Sequence, residues 1–260
     1  MRNLDIFIYT HKPFECKLTN ESYKILTCSK DEFPNVKVPV IRDYTGDNIS
    51  DKNLMYNEYT GIYWLWKNYK LNDYVGINHY RRYYAFMDNV PDVSKYFEFF
   101  DIILNKPLEL LHPITKKMVD NRTYYSFWHN VEDFDLLEQM VREKYPEYVG
   151  GFEKMKASKE IHNSSIFIMG KDLFNEYCSF IFDALDTYNE YHGHHTVDEY
   201  RQHVLDNKAK YIKPGLDYYT VDIQTRIVGY IAERLLNTFL HAGANPLVKR
   251  SCTLENNFLY

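Results

Sequence analysis

Residues 53–84, NLMYNEYTGIYWLWKNYKLNDYVGINHYRRYY, contain the most informative pattern of the chain: a helical repeat followed by a short apolar run and a basic segment. Within residues 58–68 the apolar side chains Ile62, Leu65 and Trp66 recur at spacings of three and four. This spacing is typical of an amphipathic helix with one buried face. The stretch therefore predicts a helix that packs on a core and leads into the segment after it.

A short apolar run, residues 74–77, follows this helix and predicts a buried strand. The strand leads directly into His79, Arg81 and Arg82. In an open α/β sheet, ligands bind beyond the carboxyl ends of the strands. Two arginines and a histidine at that place suit an anion such as a diphosphate. The alternative is that both arginines pair with surface carboxylates, and a double arginine alone does not decide between them.

The composition indicates one large α/β domain and excludes a general nucleic-acid binder. The chain has 260 residues, of which 45% are hydrophobic, and its net charge is −5. Such a chain can bury a sizeable core, and its acidic balance does not suit a polyanion. Aromatic residues reach 17%, with 25 tyrosines. Tyrosine suits a carbohydrate site, but a genome of low GC content would produce the same excess.

The cysteines and the apolar runs predict a soluble protein of the cytoplasm. Cys16, Cys28, Cys178 and Cys252 are far apart, so we expect reduced thiols. The start of the chain is strand-like and too short for a signal peptide. No run approaches the roughly 18 apolar residues of a membrane span. Work at the inner face of the cytoplasmic membrane is compatible with this prediction.

Residues 4–9 predict a first buried strand, and Thr10 and His11 follow at its carboxyl end. These two side chains are candidates for nucleotide contacts, and an ordinary turn closed by Pro13 is the alternative. Ser50 or Asp51 is expected to cap the helix at 58–68. The other predicted elements are strands at 23–26, 101–104 and 160–169, an edge or loop segment at 37–41, and helices at 130–145, 171–188 and 223–240.

Two further clusters resemble metal sites. Asp133-x-Asp135 is similar to the D-x-D motif of many sugar transferases, but it opens a helix, where acids are expected from the helix dipole. His192, His194 and His195 fall in a loop between helices. No recognised ligand spacing surrounds them, so we expect solvated histidines.

Three segments together resemble a bacterial family whose members lie in capsule and surface-polysaccharide gene clusters. They are Asp47-Asn48-Ile49-Ser50 with Asn53, Glu58-x-Thr60-Gly61-x-Tyr63-Trp64-x-Trp66-Lys67-Asn68, and Gly76-x-x-His79-Tyr80-Arg81-Arg82-Tyr83. The family was long known only as a domain of unknown function and includes galactofuranosyltransferases. The resemblance implies one glycosyltransferase domain over residues 1–260. Its α/β core of the GT-A type, with a mostly parallel sheet, would cover 1–170, and a helical portion would cover 171–260.

The resemblance also implies a reaction, in which a UDP-sugar donates a hexose to a growing capsular or surface polysaccharide on a lipid carrier. In GT-A transferases a D-x-D strand holds a metal on the diphosphate. Here the corresponding strand ends in Asn78-His79-Tyr80-Arg81-Arg82, which predicts that no metal is required. If the enzyme does depend on Mg²⁺ or Mn²⁺, Asp133 and Asp135 are the expected ligands.

The predicted site has three parts. The donor-binding residues are Thr10, His11, Asn53, Lys67, His79, Arg81 and Arg82. The residues expected to bind the sugar or the acceptor are His129, His162 and Asn163. The candidates for the general base are Asp133 or Asp135 first, Glu58 second and Glu233 third. Glu58 could instead cap its helix, or orient His79 or an arginine, and Glu233 could be buried against Arg226 or Arg234.

Two other functions compete with sugar transfer. A non-catalytic carbohydrate-binding or assembly protein would also explain the tyrosines, but it has no need of an anion site. A phosphotransferase or nucleotidyltransferase would explain Arg81 and Arg82, but the chain has no glycine-rich phosphate loop.

Overall fold

A computed structural model describes residues 4–213, 219–242, 251–254 and 256–258. Its strands are β1 Leu4–Thr10, β2 Tyr23–Thr27, β3 Val40–Arg42, β4 Tyr74–His79, β5 Arg82–Tyr84, β6 Ile102–Asn105, β7 Leu108–Glu109, β8 Glu160–Ile161, β9 Phe167–Gly170, β10 Ser251–Leu254 and β11 Asn256–Phe258. Its helices are α1 Asn53–Tyr56, α2 Tyr59–Asn68, α3 Ser94–Phe97, α4 Asn121–Trp128, α5 Val131–Lys144, α6 Val149–Ala157, α7 Lys171–His192, α8 Val197–Asp206, α9 Lys208–Tyr211, α10 Val221–Gln224 and α11 Ile227–His241.

The central sheet is mostly parallel, which confirms the predicted fold class. Its strand order is β10-β6-β9-β4-β1-β2-β3, with β5 and β11 joined beside β4. β1 pairs in parallel with both β2 and β4, while β9 runs antiparallel to β4 and β6. The segment predicted at 37–41 as an edge or a loop supplies the edge strand β3. Helices α7 to α11 follow the last central strand, β9.

The two strands that matter most for function end side by side. β1 is buried at all seven positions, in keeping with its mostly apolar sequence, and its one charged residue, Asp5, forms an ion pair with Lys24. β4 extends two residues beyond the predicted 74–77, and His79 lies opposite Tyr9 in the register. Because the strands are parallel, the residues after β1 and after β4 meet at one edge of the sheet. Their polar ends are therefore neighbours.

The central helix α2 confirms the predicted helix at 58–68 and buries Ile62 and Leu65. Gly61 is required there, since a Cβ at this position would lie 2.5 Å from the ring of Tyr9. The predicted cap by Ser50 or Asp51 is wrong. Asn57 has a positive φ of 54°, which separates α1 from α2, and Glu58 precedes α2 without a side-chain capping bond.

Two predicted elements are each divided in the structure. The strand predicted at 160–169 is β8 and β9, separated by a turn in which Ser164 and Ser165 have φ values of 61° and 48°. The helix predicted at 223–240 is α10 and α11, with Arg226 between them. The helices predicted at 130–145 and 171–188 are confirmed as α5 and α7, and α7 continues to His192.

The structure also bears on the cysteines and on membrane spans. Cys16, Cys28 and Cys178 are free thiols, and the side chain of Cys252 lies outside the described residues. Within the described ranges, no helix combines the length and apolar character needed to cross a bilayer.

Candidate active site

A cavity of about 270 Å³ opens at the sheet edge where β1 and β4 end. Its walls come from four places in the chain: the ends of these strands, the α1–α2 junction, the turn before β9, and the start of α11. The lining residues are Tyr9, Thr10, His11, Asn53, Leu54, Asn57, Glu58, His79, Arg81, Ser164, Arg226, Tyr230 and Glu233.

A second cavity, about 690 Å³, lies between the loops around Pro13 and Pro34. It is larger, but its only charged lining groups are side chains at the exposed positions Glu15, Lys17 and Lys37. We take the smaller cavity as the candidate site because acidic and basic side chains converge there, and the pKa values of Glu58 and His79 are strongly shifted.

A buried hydrogen-bond network lies behind Tyr9 and Asn53, two of the residues that line the cavity. The amide of Asn53 donates to the Tyr9 hydroxyl at 2.6 Å, and that hydroxyl lies 2.9 Å from the hydroxyl of Thr60. Thr60 in turn donates to the carboxylate of Asp43 at 2.9 Å, and Ser50 donates to the same carboxylate. Burial raises the pKa of Asp43. The network joins β1 to the α1–α2 segment and so fixes the place of Asn53.

One wall of the cavity is cationic and comes from the turn after β4. Burial, and then the charges of Arg81 and Arg82, lower the pKa of His79 to about 3. The ring is therefore neutral near pH 7, and its Nδ1 accepts from the backbone N–H of Arg81 at 3.3 Å. The proton of the neutral ring then lies on Nε2. The exposed Arg81 guanidinium lies 5.2 Å from the centre of the Tyr80 ring.

The facing wall carries two carboxylates. Burial, and then the charge of Glu233, raise the pKa of Glu58 to about 7, although Ser165 and Arg226 act in the opposite direction. Glu233 accepts from the backbone N–H of Ser164 at 2.8 Å and from Arg234 at 3.1 Å. Glu58 is thus poised to exchange a proton near neutral pH, while Glu233 is held in place by two donors.

The turn between β8 and β9 builds this wall. With Ser164 and Ser165 in left-handed conformations, the Ser165 hydroxyl donates to the hydroxyl of Tyr59 at 2.8 Å. Arg82 donates to the side chains of Ser164 and, at 3.4 Å, Asn163. Arg82 therefore ties the turn to the end of β4 and does not line the cavity.

Residues 5–209 match the family described as a domain of unknown function, DUF4422. The match covers most of the chain. The chain belongs to this family. Its fold is also similar to the apo structure of the bifunctional glycosyltransferase WbbM, with a TM-score of 0.76 and 24% sequence identity. The likeness covers 98% of this chain and 45% of the WbbM chain, so this chain spans less than half of that protein. No curated protein matches the chain in sequence.

The DUF4422 domain brings together five of the seven predicted donor-binding residues. They lie in the cavity with Glu58 and Glu233, the second and third candidates for the base, and the five are Thr10, His11, Asn53, His79 and Arg81. Lys67 lies elsewhere: it is exposed on α2, with its ammonium 3.5 Å from the centre of the Trp66 ring.

Asp133 and Asp135, the first candidates for the base, are not among the cavity residues of the DUF4422 domain. Asp133 is buried among the helices and accepts from the Tyr211 hydroxyl at 2.8 Å. Asp135 forms two 2.7 Å bonds with Arg122 at the surface. Among the residues that the structure describes, no group of three or more His, Cys, Asp or Glu side chains is arranged to hold a metal ion.

The three residues predicted to bind sugar or acceptor lie behind the cavity wall. The ring centre of His129 is 3.9 Å from that of Tyr230, which lines the cavity, and burial lowers the pKa of His129 to about 3. His162 Nδ1 lies 2.9 Å from the carbonyl oxygen of Asn105. Asn163 accepts from Arg82. His129 thus supports Tyr230 in the cavity wall, whereas His162 and Asn163 bond to groups that do not line the cavity.

The prediction of solvated histidines is wrong for His192. Its side chain is only 4% exposed, and its Nε2 lies 3.5 Å from Asp133 Oδ1. His194 and His203 pack around it, with ring centres 4.8 Å from its own. Because α8 folds back on the end of α7, a loop that seems polar in sequence becomes part of a buried cluster.

Sequence reasoning missed Arg226 and Tyr230 as cavity residues, and it placed Ser164 in a strand and not in a turn. The periodic pattern from 223 to 240 indicates one helix, and nothing in it marks the break that turns Arg226 toward the cavity. Ser164 belongs to a run of four polar residues, 162–165, inside a predicted strand. That run was the signal that could have indicated a turn.

Proposed function

We propose that this domain transfers a sugar from a nucleotide donor to a hydroxyl of an acceptor glycan. One observation carries the proposal: a carboxylate with a pKa of about 7, Glu58, faces a cationic strand-end wall across a cavity. Sugar transfer needs both features, since a base must take the acceptor proton and donors must stabilise the leaving diphosphate. The fold shared with a bifunctional glycosyltransferase supports the same reaction class.

The cationic wall is the proposed diphosphate site. Arg81 provides an exposed guanidinium that suits a phosphate, and the neutral ring of His79 provides an N–H donor. Thr10, His11 and Asn53 complete the edge of the site beside β1. Preorganised donors of this kind stabilise charge that develops on the leaving group. The proposed reaction therefore requires no Mg²⁺ or Mn²⁺.

The facing wall is the proposed acceptor side, with Glu58 as the general base. A base works best when its pKa is close to the working pH, and burial brings Glu58 there. Glu233 is a weaker candidate because a backbone N–H and Arg234 already occupy its oxygens. Asp133 and Asp135 do not reach the cavity, so we place the base at Glu58.

The identity of the substrates rests on the family resemblance. We propose a UDP-hexose as donor, with UDP-galactofuranose among the first to test, and a growing capsular or surface polysaccharide on a lipid carrier as acceptor. Such an acceptor would bring the domain to the inner face of the cytoplasmic membrane.

Nucleotide binding and transfer test the proposal together. UDP should raise the melting temperature, and a panel of UDP-sugars should yield free UDP in the presence of acceptor glycan. Arg81→Ala should lower UDP affinity at least about tenfold, the size of one charge-assisted hydrogen bond, and Arg81→Lys should recover little of it. Arg142→Ala is the matched control, since Arg142 pairs with Glu138 on the surface of α5.

Two results would overturn the proposal. If no nucleotide raises the melting temperature and the protein still binds carbohydrate, it is a non-catalytic carbohydrate-binding protein. Complete loss of transfer in EDTA, restored by Mn²⁺, would refute the metal-free reaction.

A further inference from the structure

Arg226 lies at the junction of α10 and α11 and lines the cavity. Its Nε is buried and has no hydrogen-bond partner in the described part of the chain. Burying such a donor unpaired costs about 1–3 kcal/mol, and more for a charged group. Buried polar groups in folded proteins are nearly always paired, so this unpaired N–H beside a cavity needs an explanation.

The carboxylates of the same cavity do not supply the missing partner. Glu233 is engaged by Ser164 and Arg234. Glu58 is stabilised by Ser165, and its pKa of about 7 leaves it partly neutral. Among the described residues, neither carboxylate comes within ion-pair distance of Arg226. The Nε–H of Arg226 therefore has no partner among these carboxylates, although its charge does lower the pKa of Glu58.

Other cationic groups face the same space from the strand side. The charge of Arg226 contributes to lowering the pKa of both His11 and His79, although burial is the largest cause for each. Arg81 acts on the same two histidines. Arg226 and Arg81 thus line one cavity, Arg226 from the start of α11 and Arg81 from the end of β4. Two like charges in one cavity repel each other, and a bound anion would relieve that repulsion.

We propose that Arg226 is a second phosphate-binding residue, which holds the donor diphosphate from the helical wall while Arg81 holds it from the strand wall. This inference rests on the proposed function and names a residue that the donor site requires beyond the strand ends. It also makes α11 part of the donor site, although α11 lies some 150 residues after β4 in the chain.

Calorimetric titration of Arg226→Ala with three probes tests the inference. UDP and inorganic pyrophosphate should each bind at least about tenfold more weakly, because one charge-assisted hydrogen bond is lost. Uridine, which has no phosphate, should bind as it does to the wild type. Arg226→Lys should recover part of the loss, since an ammonium keeps the charge and loses the planar fork.

A second readout separates phosphate binding from damage to the fold. Arg226 lowers the pKa of Glu58, so its removal should shift the acidic limb of the pH–rate profile of transfer to higher pH. Arg201→Ala is the control, because Arg201 pairs with Asp222 of α10 at 2.8 Å and is half exposed. It should change neither affinity nor the profile. If Arg226→Ala does not fold, Arg226→Gln replaces it in the same titrations.

The outcomes distinguish the inference from the proposed function. Wild-type affinity for UDP in a folded Arg226 variant overturns the inference and leaves the proposed function intact. Weaker binding of uridine and UDP alike also overturns it, since the loss would then be general. If the wild-type protein binds pyrophosphate but does not bind UDP, the proposed function is refuted. Loss of pyrophosphate binding in Arg226→Ala would in that case still support the anion site.

Discussion

Two polar clusters in this domain each contain groups whose pKa values are shifted, but the two clusters differ in what surrounds them. The cavity holds Glu58 and Arg226 beside open volume. The histidine cluster, formed by His192, His194, His203 and Asp133, is packed between helices. In it His192 Nδ1 and His194 Nδ1 lie 2.8 Å apart, and Asp133 accepts from the Tyr211 hydroxyl. Burial raises the pKa of Asp133 just as it raises that of Glu58.

The comparison shows that neither a shifted pKa nor an unpaired atom identifies a site by itself. Asp133 Oδ2 lacks a hydrogen-bond partner in the described residues, as Arg226 Nε does. What distinguishes the cavity is the combination of an open volume with lining side chains of both charges, of which Arg226 and Glu58 form no ion pair with each other. In the histidine cluster the side chains bond to one another, so it stabilises the helical layer.

The largest effect is expected for Glu58→Gln. The amide cannot accept the acceptor proton, so transfer should fall at least about a hundredfold, the usual size of a general-base contribution. UDP affinity and the melting temperature should stay close to those of the wild type. Asp135→Asn, at the surface, is the matched control for changing a carboxylate to an amide. If Glu58→Gln keeps most of its transfer rate, Glu58 is not the base and a retaining mechanism becomes the better hypothesis.

Asp133 should show the opposite behaviour. Asp133→Ala leaves the Tyr211 hydroxyl without its acceptor, so the free energy of unfolding should fall by about 1–3 kcal/mol. Asp133→Asn keeps an accepting oxygen and should recover much of this loss. Transfer per folded molecule should change little in either variant. Urea unfolding and activity normalised to folded protein measure the two quantities, and a hundredfold loss of transfer in Asp133→Asn would return Asp133 to the active site.

The pH dependence of stability should differ between the two clusters. Since the folded pKa of Glu58 lies at about 7, above its ordinary 4.5, the folded state binds the proton more tightly. The contribution of Glu58 to the free energy of unfolding is therefore lost as pH rises from about 4.5 through 7. The pKa of His203 is lowered to about 4 by burial and by His192 and His194, so its contribution is lost as pH falls from 6.5 through 4.

Unfolding curves of single variants separate these opposite slopes. Subtracting the curve of Glu58→Gln from that of the wild type should give a difference that falls as pH rises through 7. Subtracting the curve of His203→Gln from that of the wild type should give a difference in the free energy of unfolding that falls as pH decreases below 6.5. If the difference in free energy of unfolding between the wild type and Glu58→Gln does not change between pH 4.5 and 7, burial does not raise the pKa of Glu58.

The smallest effect is expected for Lys67→Ala. Lys67 lies over the Trp66 ring and outside the cavity, so UDP affinity should stay within about twofold of the wild type. The lost cation–π contact should cost no more than about 1 kcal/mol of stability at such an exposed site. A tenfold loss of UDP affinity would mean that the donor site extends along α2 to Lys67.

Local patterns in the amino-acid sequence predict the central elements of the core and half of the candidate site. Periodicity and apolar runs indicate β1, α2 and β4, because these are local patterns of side-chain spacing. Once β1 and β4 are parallel neighbours, their polar ends must meet at one edge. The sequence predicts Thr10, His11, His79 and Arg81 as strand-end residues, and the pairing of β1 with β4 brings them together.

The other half of the site depends on long-range packing. Glu58 faces Arg226 and Glu233 because Ser164 turns the chain back into β9 and because α11 begins at a break that its periodicity hides. The same long-range packing places Asp133 among the histidines and Lys67 on a tryptophan. Sequence spacing records which face of an element a side chain occupies. Which faces then enclose a common volume depends on contacts between residues far apart in the chain, and these have no local signature.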